Sequence, residues 1–321
     1  MQDKIIFVFP GQGAQYVGMG ADVYRDFASA RYVFEQVSDI SKRDMAKICF
    51  AGSQAELNTP ENTSLATFAH SVAIANVIEG EYGVPLHTLA YAMAGHSMGQ
   101  YSALHCVGSM KMEDAVQMLA ARAAYMQDAN GAGGMAAIVG LDKDAVDQCM
   151  VAAAGLGYAQ ISNHNARDQF VISGHNAALD AIVENAQKRG ARIAKRLNVA
   201  VPAHCALMSG AEKLLRVRMD KIQFDAPKTN WYSNQTAKFM SNPRDVRDAL
   251  CNQMTHGVRW LEIMETFPTY NINRAYELGP GRTLTGLIKR ANVGCVARQT
   301  DTSSNLRVVL REIGEMMVKS R

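Results

Sequence analysis

The stretch LAYAMAGHSMGQYSALHCVG (89–108) limits the possible folds more than any other part of the chain. LAYAMA (89–94) reads as a short buried strand and SMGQYSALHCVG (97–108) as the helix that follows it. A strand that gives way to a helix this quickly needs a sharp turn. The glycines on either side of Ser97 leave room for the backbone to pass its neighbours there. Gly95-His96-Ser97-Met98-Gly99 fits GxSxG, a turn that lifts a serine hydroxyl out at the top of a sheet, beside the positive end of a helix. Ser97 is therefore the candidate nucleophile. The plainer reading is a serine that caps the helix.

The same alternation runs through the first part of the chain. KIIFVF (4–9) is a β-branched and aromatic run stopped by Pro10-Gly11. Helical periodicity covers 22–40 and 64–81, and EDAVQMLAARAAYMQDA (113–129) is a long amphipathic helix. This order predicts an α/β fold with a mainly parallel sheet covered on both faces, α/β-hydrolase-like in layout. After GAGG (131–134), a flexible joint, the pattern changes. Strand MAAIVG (135–140), helix 143–154, strands GYAQISN (157–163) and QFVISG (169–174), helix 177–189 and strand ARIAKRLNV (191–199) follow. That order, βαββαβ, is the ferredoxin-like unit. The 321 residues thus divide into a large α/β catalytic domain (1–132 and 202–321) and an inserted ferredoxin-like small domain (133–201). The cleft between them is the expected ligand site.

Composition removes several function classes. The chain is 48% hydrophobic and 20% charged, as globular proteins are. A net charge of +3, with no like-charge block and no basic motif interleaved with aromatics, gives no reason to expect nucleic acid. The N-terminal apolar run is a strand and not a signal peptide, and no stretch approaches a membrane span. A cytoplasmic protein with no membrane association is expected. The six cysteines are scattered without CxxC spacing, which predicts reduced thiols, with neither disulfides nor a metal site.

A serine nucleophile needs a base and an oxyanion hole. His204, in VPAHCALM, stands at the predicted return from the small domain, where a side chain faces the cleft. His96 adjoins Ser97 and cannot easily turn its ring onto that hydroxyl, and the other six histidines lack a comparable setting. FPGQGAQ (9–15) leaves the first strand as a glycine-rich loop. It could supply oxyanion donors, form a plain turn, or cradle a phosphate, although it lacks the lysine of a P-loop. Arg122, in AARAAYMQ, lies on an alanine-rich helix downstream of the serine. Its planar guanidinium can grip a carboxylate through two parallel hydrogen bonds; the alternative is a solvated helix arginine.

FPGQGAQ, GHSMGQYSAL, AARAAYMQ, VPAHCALM and ELGPGRTLTGL occur in that order across nearly the whole chain. Together they resemble the malonyl-CoA:acyl carrier protein transacylases of fatty acid synthesis, relatives of polyketide-synthase acyltransferase domains. The resemblance implies Ser97 as the acylated nucleophile, His204 as its base, and the backbone N–H groups of Gln12 and Met98 as the oxyanion hole. It implies Arg122 as the holder of the malonyl carboxylate and the Gln253 carbonyl, in CNQMTHGVRW, as the group that orients the histidine. Asn163 and Asn165, in ISNHN, would line the cleft as substrate-binding residues. The substrates would be malonyl-CoA and holo acyl carrier protein, with no further cofactor, and the chain would act as a monomer.

Three positions depart from that family pattern. Gln100 replaces the usual glutamate after GHSxG, which removes a charge from the helix and is expected to leave the chemistry untouched. Ser64-Leu65 replaces a common Gln-Pro pair, and Ala203 precedes the base where serine or phenylalanine is usual. The last two small residues leave room for methylmalonyl as an alternative extender unit. A serine hydrolase or thioesterase of α/β-hydrolase type is the other alternative, but its Ser–Asp/Glu–His order finds no acid in a comparable turn. For docking an acidic carrier protein, Lys188, Arg189, Arg192, Lys195 and Arg196 form one candidate basic patch, and Lys289 with Arg290 a second.

Overall fold

The fold, seen in a computed structural model that describes residues 3–128, 131, 133–199 and 201–319, has two sheets. The strands are β1 (Lys4–Phe9), β2 (Ala92–Gly95), β3 (Gly134–Val139), β4 (Ala159–Ala166), β5 (Gln169–Gly174), β6 (Ile193–Arg196), β7 (Asn230–Tyr232), β8 (Phe239–Met240), β9 (Ile272–Glu277) and β10 (Val296–Gln299). The first sheet runs β10-β9-β1-β2-β7-β8, and every pairing is parallel except β7 with β8. β1 sits inside it, and its unbroken apolar run serves both faces. Phe7 and Phe9 enter one core with the helix Pro60–Tyr82, while Ile6 and Val8 enter another with the helices Trp260–Glu265 and Thr283–Ala291. Pro60–Tyr82 is buried nearly all round, so it has no polar stripe and lies wholly within the helical layer.

The second sheet, β4-β5-β3-β6, is antiparallel throughout. Ala136, Ile138, Phe170 and Ile172 point to the helices Lys143–Ala152 and Asn176–Lys188. The alternate residues Met135 and Val171 face the cleft. Its edge strand β4 is stitched to the rest of the chain. The His164 N–H donates to the Val258 carbonyl at 2.9 Å, and the Val258 N–H to the Ser162 carbonyl at 2.8 Å. Arg290, after β9, reaches Asp168 at 2.5 Å in the turn beyond β4.

Several elements differ from their sequence-based outline. The strand expected at 89–94 is β2, and residues Leu86–Leu89 form a helical turn after Pro85. The chain joins β1 only where the Tyr91 N–H meets the Ile5 carbonyl, at 2.8 Å. The strand expected at 191–199 shrinks to β6, because residues 136–139 of β3 are its only register partners. Beyond it Leu197, Asn198 and Val199 turn into the cleft wall. The helix expected at 22–40 is two helices, broken where Phe27 is extended (φ −128°, ψ 120°). The helix expected at 113–129 is Met112–Asp128; Ala129 and the domain edge at Ala132 lie outside the described residues. Among the described residues no helix is long and apolar enough to cross a membrane, and all six cysteines are free thiols.

The turn after β2 is as tight as backbone allows. A Cβ on Gly99 would lie 2.2 Å from the Phe9 carbonyl oxygen, and one on Gly95 would lie 2.1 Å from the Gln100 amide nitrogen. Both neighbours are backbone and cannot swing aside. Gly99→Ala should therefore lower stability by about 3 kcal/mol or more, the upper end of overpacking costs. The urea unfolding midpoint reads this directly, and an unchanged midpoint would show that the β1–β2 crossing has slack.

Candidate active site

Ser97 lies between the end of β2 and the helix Gly99–Cys106, with φ at 51°, in the left-handed region that a residue with a Cβ seldom adopts. Asn234, just after β7, holds that conformation. Its Oδ1 accepts from the Ser97 N–H at 2.8 Å and its Nδ2 donates to the Gly95 carbonyl at 2.7 Å. The turn is thus clamped on both sides by one buried amide. The helix caps at Met98 without a side-chain bond, so Ser97 is not its cap.

The hydroxyl faces His204, with Ser97 Oγ 2.8 Å from His204 Nε2. On the far side of the ring, Nδ1 lies 2.6 Å from the Gln253 carbonyl oxygen. A carbonyl can only accept, so the ring proton sits on Nδ1 and Nε2 is left free to take a proton from Ser97. His204 is 3% exposed and also has a positive φ, 61°. Two residues of the second sheet fix the segment around it: Gln160 Nε2 donates to the His204 carbonyl at 3.2 Å, and Ser173 Oγ to the Ala203 carbonyl at 2.6 Å. Burial, with the Arg122 cation second, lowers the His204 pKa to about 3. The imidazole is neutral at physiological pH, as a base must be.

Arg122, on the helix Met112–Asp128, is 4% exposed and donates from Nη2 to Ser97 Oγ at 3.3 Å. Its Nε has no partner, and it pairs with no carboxylate among the described residues. Burial pulls its pKa down from the ordinary guanidinium value. An isolated buried cation is costly, so its place at the floor of an open cleft calls for an anion from outside. The cleft has a volume of about 640 Å³, and Gln12, Ser97, Arg122, Asn163, Asn165 and His204 all line it. Asn165 Oδ1 lies 2.8 Å from His96 Nε2, which keeps the His96 ring away from the serine and edge-on to Trp260. The backbone N–H groups of Gln12 and Met98 have no hydrogen-bond partner among the described residues.

Of the two small substitutions, only Ala203 lines the cleft; Ser64 turns its hydroxyl onto the Pro60 carbonyl at 2.8 Å. Gln100, expected to stand apart from the chemistry, accepts a hydrogen bond from Gln253. Sequence reasoning missed Asn234, Gln160 and Ser173, because nothing in WYSNQT, YAQIS or VISGH marks a residue whose partner lies thirty or more positions away. Glu277 was missed too. It ends β9 fully buried, its carboxyl accepts from the Leu284 and Thr285 N–H groups at 3.0 and 2.7 Å, and burial pushes its pKa up to about 7. It anchors the helix Thr283–Ala291, whose Leu284 and Leu287 form one cleft wall.

Residues 6–270 match the acyl transferase domain family. The chain is 38% identical over 290 residues to the malonyl CoA-acyl carrier protein transacylase of Escherichia coli, covering 89% of this chain and 92% of that one. The chain belongs to the acyl transferase family, among the malonyl CoA-acyl carrier protein transacylases. An acyl-carrier-protein S-malonyltransferase from Bartonella henselae superposes with a TM-score of 0.93 at 35% identity, over 97% of this chain and 99% of the other. A malonyl-transacylase solved in complex with a type II PKS acyl-carrier protein superposes with a TM-score of 0.92 at 34% identity, over 97% of this chain and all of that one.

The buried neutral histidine of this acyl transferase makes its stability depend on pH. The unfolded chain protonates His204 near its ordinary value of 6.5, and the folded chain only near 3. Between those values the unfolded state binds the extra proton, so the contribution is full above pH 6.5 and is lost as pH falls. His204→Asn should therefore flatten the acid-side loss of unfolding free energy by up to about 1.4 kcal/mol per pH unit. Urea titrations at pH 7 and pH 5 compare the two slopes, and equal slopes would place His204 in a solvated setting.

Proposed function

We propose that the chain transfers a malonyl group from malonyl-CoA to the phosphopantetheine thiol of acyl carrier protein, by way of an ester on Ser97. The observation that carries the reading is Arg122. A buried guanidinium without a carboxylate partner among the described residues, 3.3 Å from the serine hydroxyl, suits a substrate whose acyl group ends in a free carboxylate. An ordinary hydrolase has no use for such a cation, and here a carbonyl takes the place of a triad acid behind the histidine.

In the first half-reaction His204 Nε2 takes the Ser97 proton as Oγ attacks the thioester carbon. The oxyanion forms toward the N–H groups of Gln12 and Met98. The carbon–sulfur bond then breaks, and the proton on His204 passes to the CoA thiolate. Arg122 keeps the malonyl carboxylate at the closed end of the cleft, while Asn163 and Asn165 line its side. In the second half-reaction the carrier-protein thiol gives its proton to His204 and attacks the malonyl ester, and Ser97 leaves with that proton. The steps need no metal or further cofactor. The division into a large domain (1–132, 202–321) and a small one (133–201) serves this scheme by placing the cleft at their join. A monomer in the cytoplasm suffices for it.

Ser97→Ala should form no malonyl adduct, as read by intact-protein mass after mixing with malonyl-CoA; an adduct on that variant would end the assignment. Arg122→Ala removes one partner of a partly buried ion pair, a loss of about 3–5 kcal/mol. Malonyl loading should collapse while acetyl loading changes much less, and equal losses would make Arg122 structural.

Docking of the carrier protein draws on fewer cations than the sequence offers. Arg196 is held by Asp180 at 2.7 Å, Lys188 by Glu184 at 2.6 Å, and Arg192 and Arg290 share Asp168. Arg189, Lys195 and Lys289 are exposed and form no ion pair among the described residues. Lys195 pairs in register with Ala137 on the sheet face that carries Met135, toward the cleft. Lys195→Glu with Lys289→Glu should raise the KM for acyl carrier protein and flatten its salt dependence, with less effect on malonyl-CoA. Unchanged carrier-protein kinetics at low salt would move the docking surface elsewhere.

A further inference from the structure

Gln100 is 1% exposed and directly follows the turn that carries Ser97. Its Nε2 donates to the Tyr232 carbonyl at 3.3 Å, and its Oε1 accepts from Gln253 Nε2. The same Gln253 Nε2 donates to the Ser97 carbonyl at 2.9 Å, and the Gln253 carbonyl accepts from His204 Nδ1. Carbonyls at both ends fix the direction of the chain. Tyr232 O only accepts, so Gln100 must present its NH₂ there and its oxygen to Gln253. Ser97 O only accepts, so Gln253 must present its NH₂ on that side. Two side-chain amides thus link the peptide of the nucleophile to the peptide that orients the base; every member is neutral, and Gln100, Tyr232, Gln253 and His204 are buried.

We propose that Gln100 is a positioning residue for acyl transfer: through Gln253 it holds the carbonyl that sets the tautomer and ring angle of His204. The inference rests on Ser97 and His204 being nucleophile and base. A glutamine fits this place better than a glutamate. A carboxylate oxygen turned to the Tyr232 carbonyl would set two acceptors against each other without solvent. It would also put a negative charge behind Gln253 and raise the affinity of His204 for a proton, opposing burial and the Arg122 cation. The neutral amide keeps the base unprotonated and still supplies the acceptor that Gln253 needs.

The test uses the full chain and single-turnover acylation by malonyl-CoA across pH 3–9, read by intact mass. Gln100→Met should slow acylation about tenfold, part of the roughly 10²-fold that a positioned base supplies. The malonyl-CoA concentration for half-maximal rate should stay within about twofold, since Arg122 and the cleft wall are intact. Gln100→Glu should move the acid limb of the rate profile to higher pH. In a Gln253→Ala background, Gln100→Met should add no further loss, because its effect runs through that side chain. A parent-like rate in Gln100→Met, or the same loss with and without the Gln253 side chain, would overturn the proposal. If Gln100→Met does not fold, Gln100→Glu carries the test, and an unmoved acid limb overturns it. A parent chain that forms no adduct removes the Ser97 reading along with this one. A fully acylated parent with unaffected Gln100 variants removes this one alone.

Discussion

The left-handed peptide at Ser97 is the constraint on which the rest of the cleft depends. Gly95 and Gly99 bring β2 and the following helix so close to β1 and to one another that no Cβ fits, and Ser97 in the turn between them is held in the left-handed region. That conformation is unfavourable for serine by itself, at a cost of order 1–3 kcal/mol. Asn234 offsets the cost with a hydrogen bond to each side of the turn. His204 likewise has a positive φ, and Gln160, Ser173 and Gln253 secure its segment. Both residues whose side chains must meet carry this strained backbone, and neutral hydrogen bonds from around them hold it in place.

The electrostatics of the cleft follow from keeping acids out of it. Arg122 has no carboxylate partner among the described residues, so its charge stays available, and together with burial it keeps His204 from taking up a proton. A carboxylate in the usual triad place would answer that charge and compete for the guanidinium. The Gln253 carbonyl orients the ring without doing either. The buried Glu277 is turned into the N–H groups that open the helix Thr283–Ala291. It shapes the wall of the cleft and leaves the floor to Arg122.

The two sheets contribute in different ways. The parallel sheet carries the serine and Asn234, with Gln253 from the helical segment after it. The antiparallel sheet supplies Asn163, Asn165, Gln160 and Ser173 from β4 and β5. Because β4 is stitched to Val258 and its turn to Arg290, the second sheet is held to the rest of the chain along its β4 edge, and the cleft opens beside that seam.

Much of this was legible in the sequence. The apolar run of β1, the GxSxG turn and the βαββαβ order are local patterns, and local sterics and side-chain periodicity determine them. So the strands of the antiparallel sheet fell within a few residues of their expected places, and Ser97 stood out before any partner was known. The ends of β2 and β6 were misjudged because a strand stops where its neighbour stops offering hydrogen bonds, which the strand's own residues do not encode. The same reason hid Asn234 and misplaced Gln100. An amide in a helix or loop carries no sign of the carbonyl it will meet, since that carbonyl is more than a hundred positions away in the chain. Likewise the charge count promised a basic patch that internal acids largely consume. The sequence by itself determined which residues could do chemistry. The tertiary structure decided which of them are brought together, and which cations stay free, because both depend on contacts that exist only once distant segments have packed.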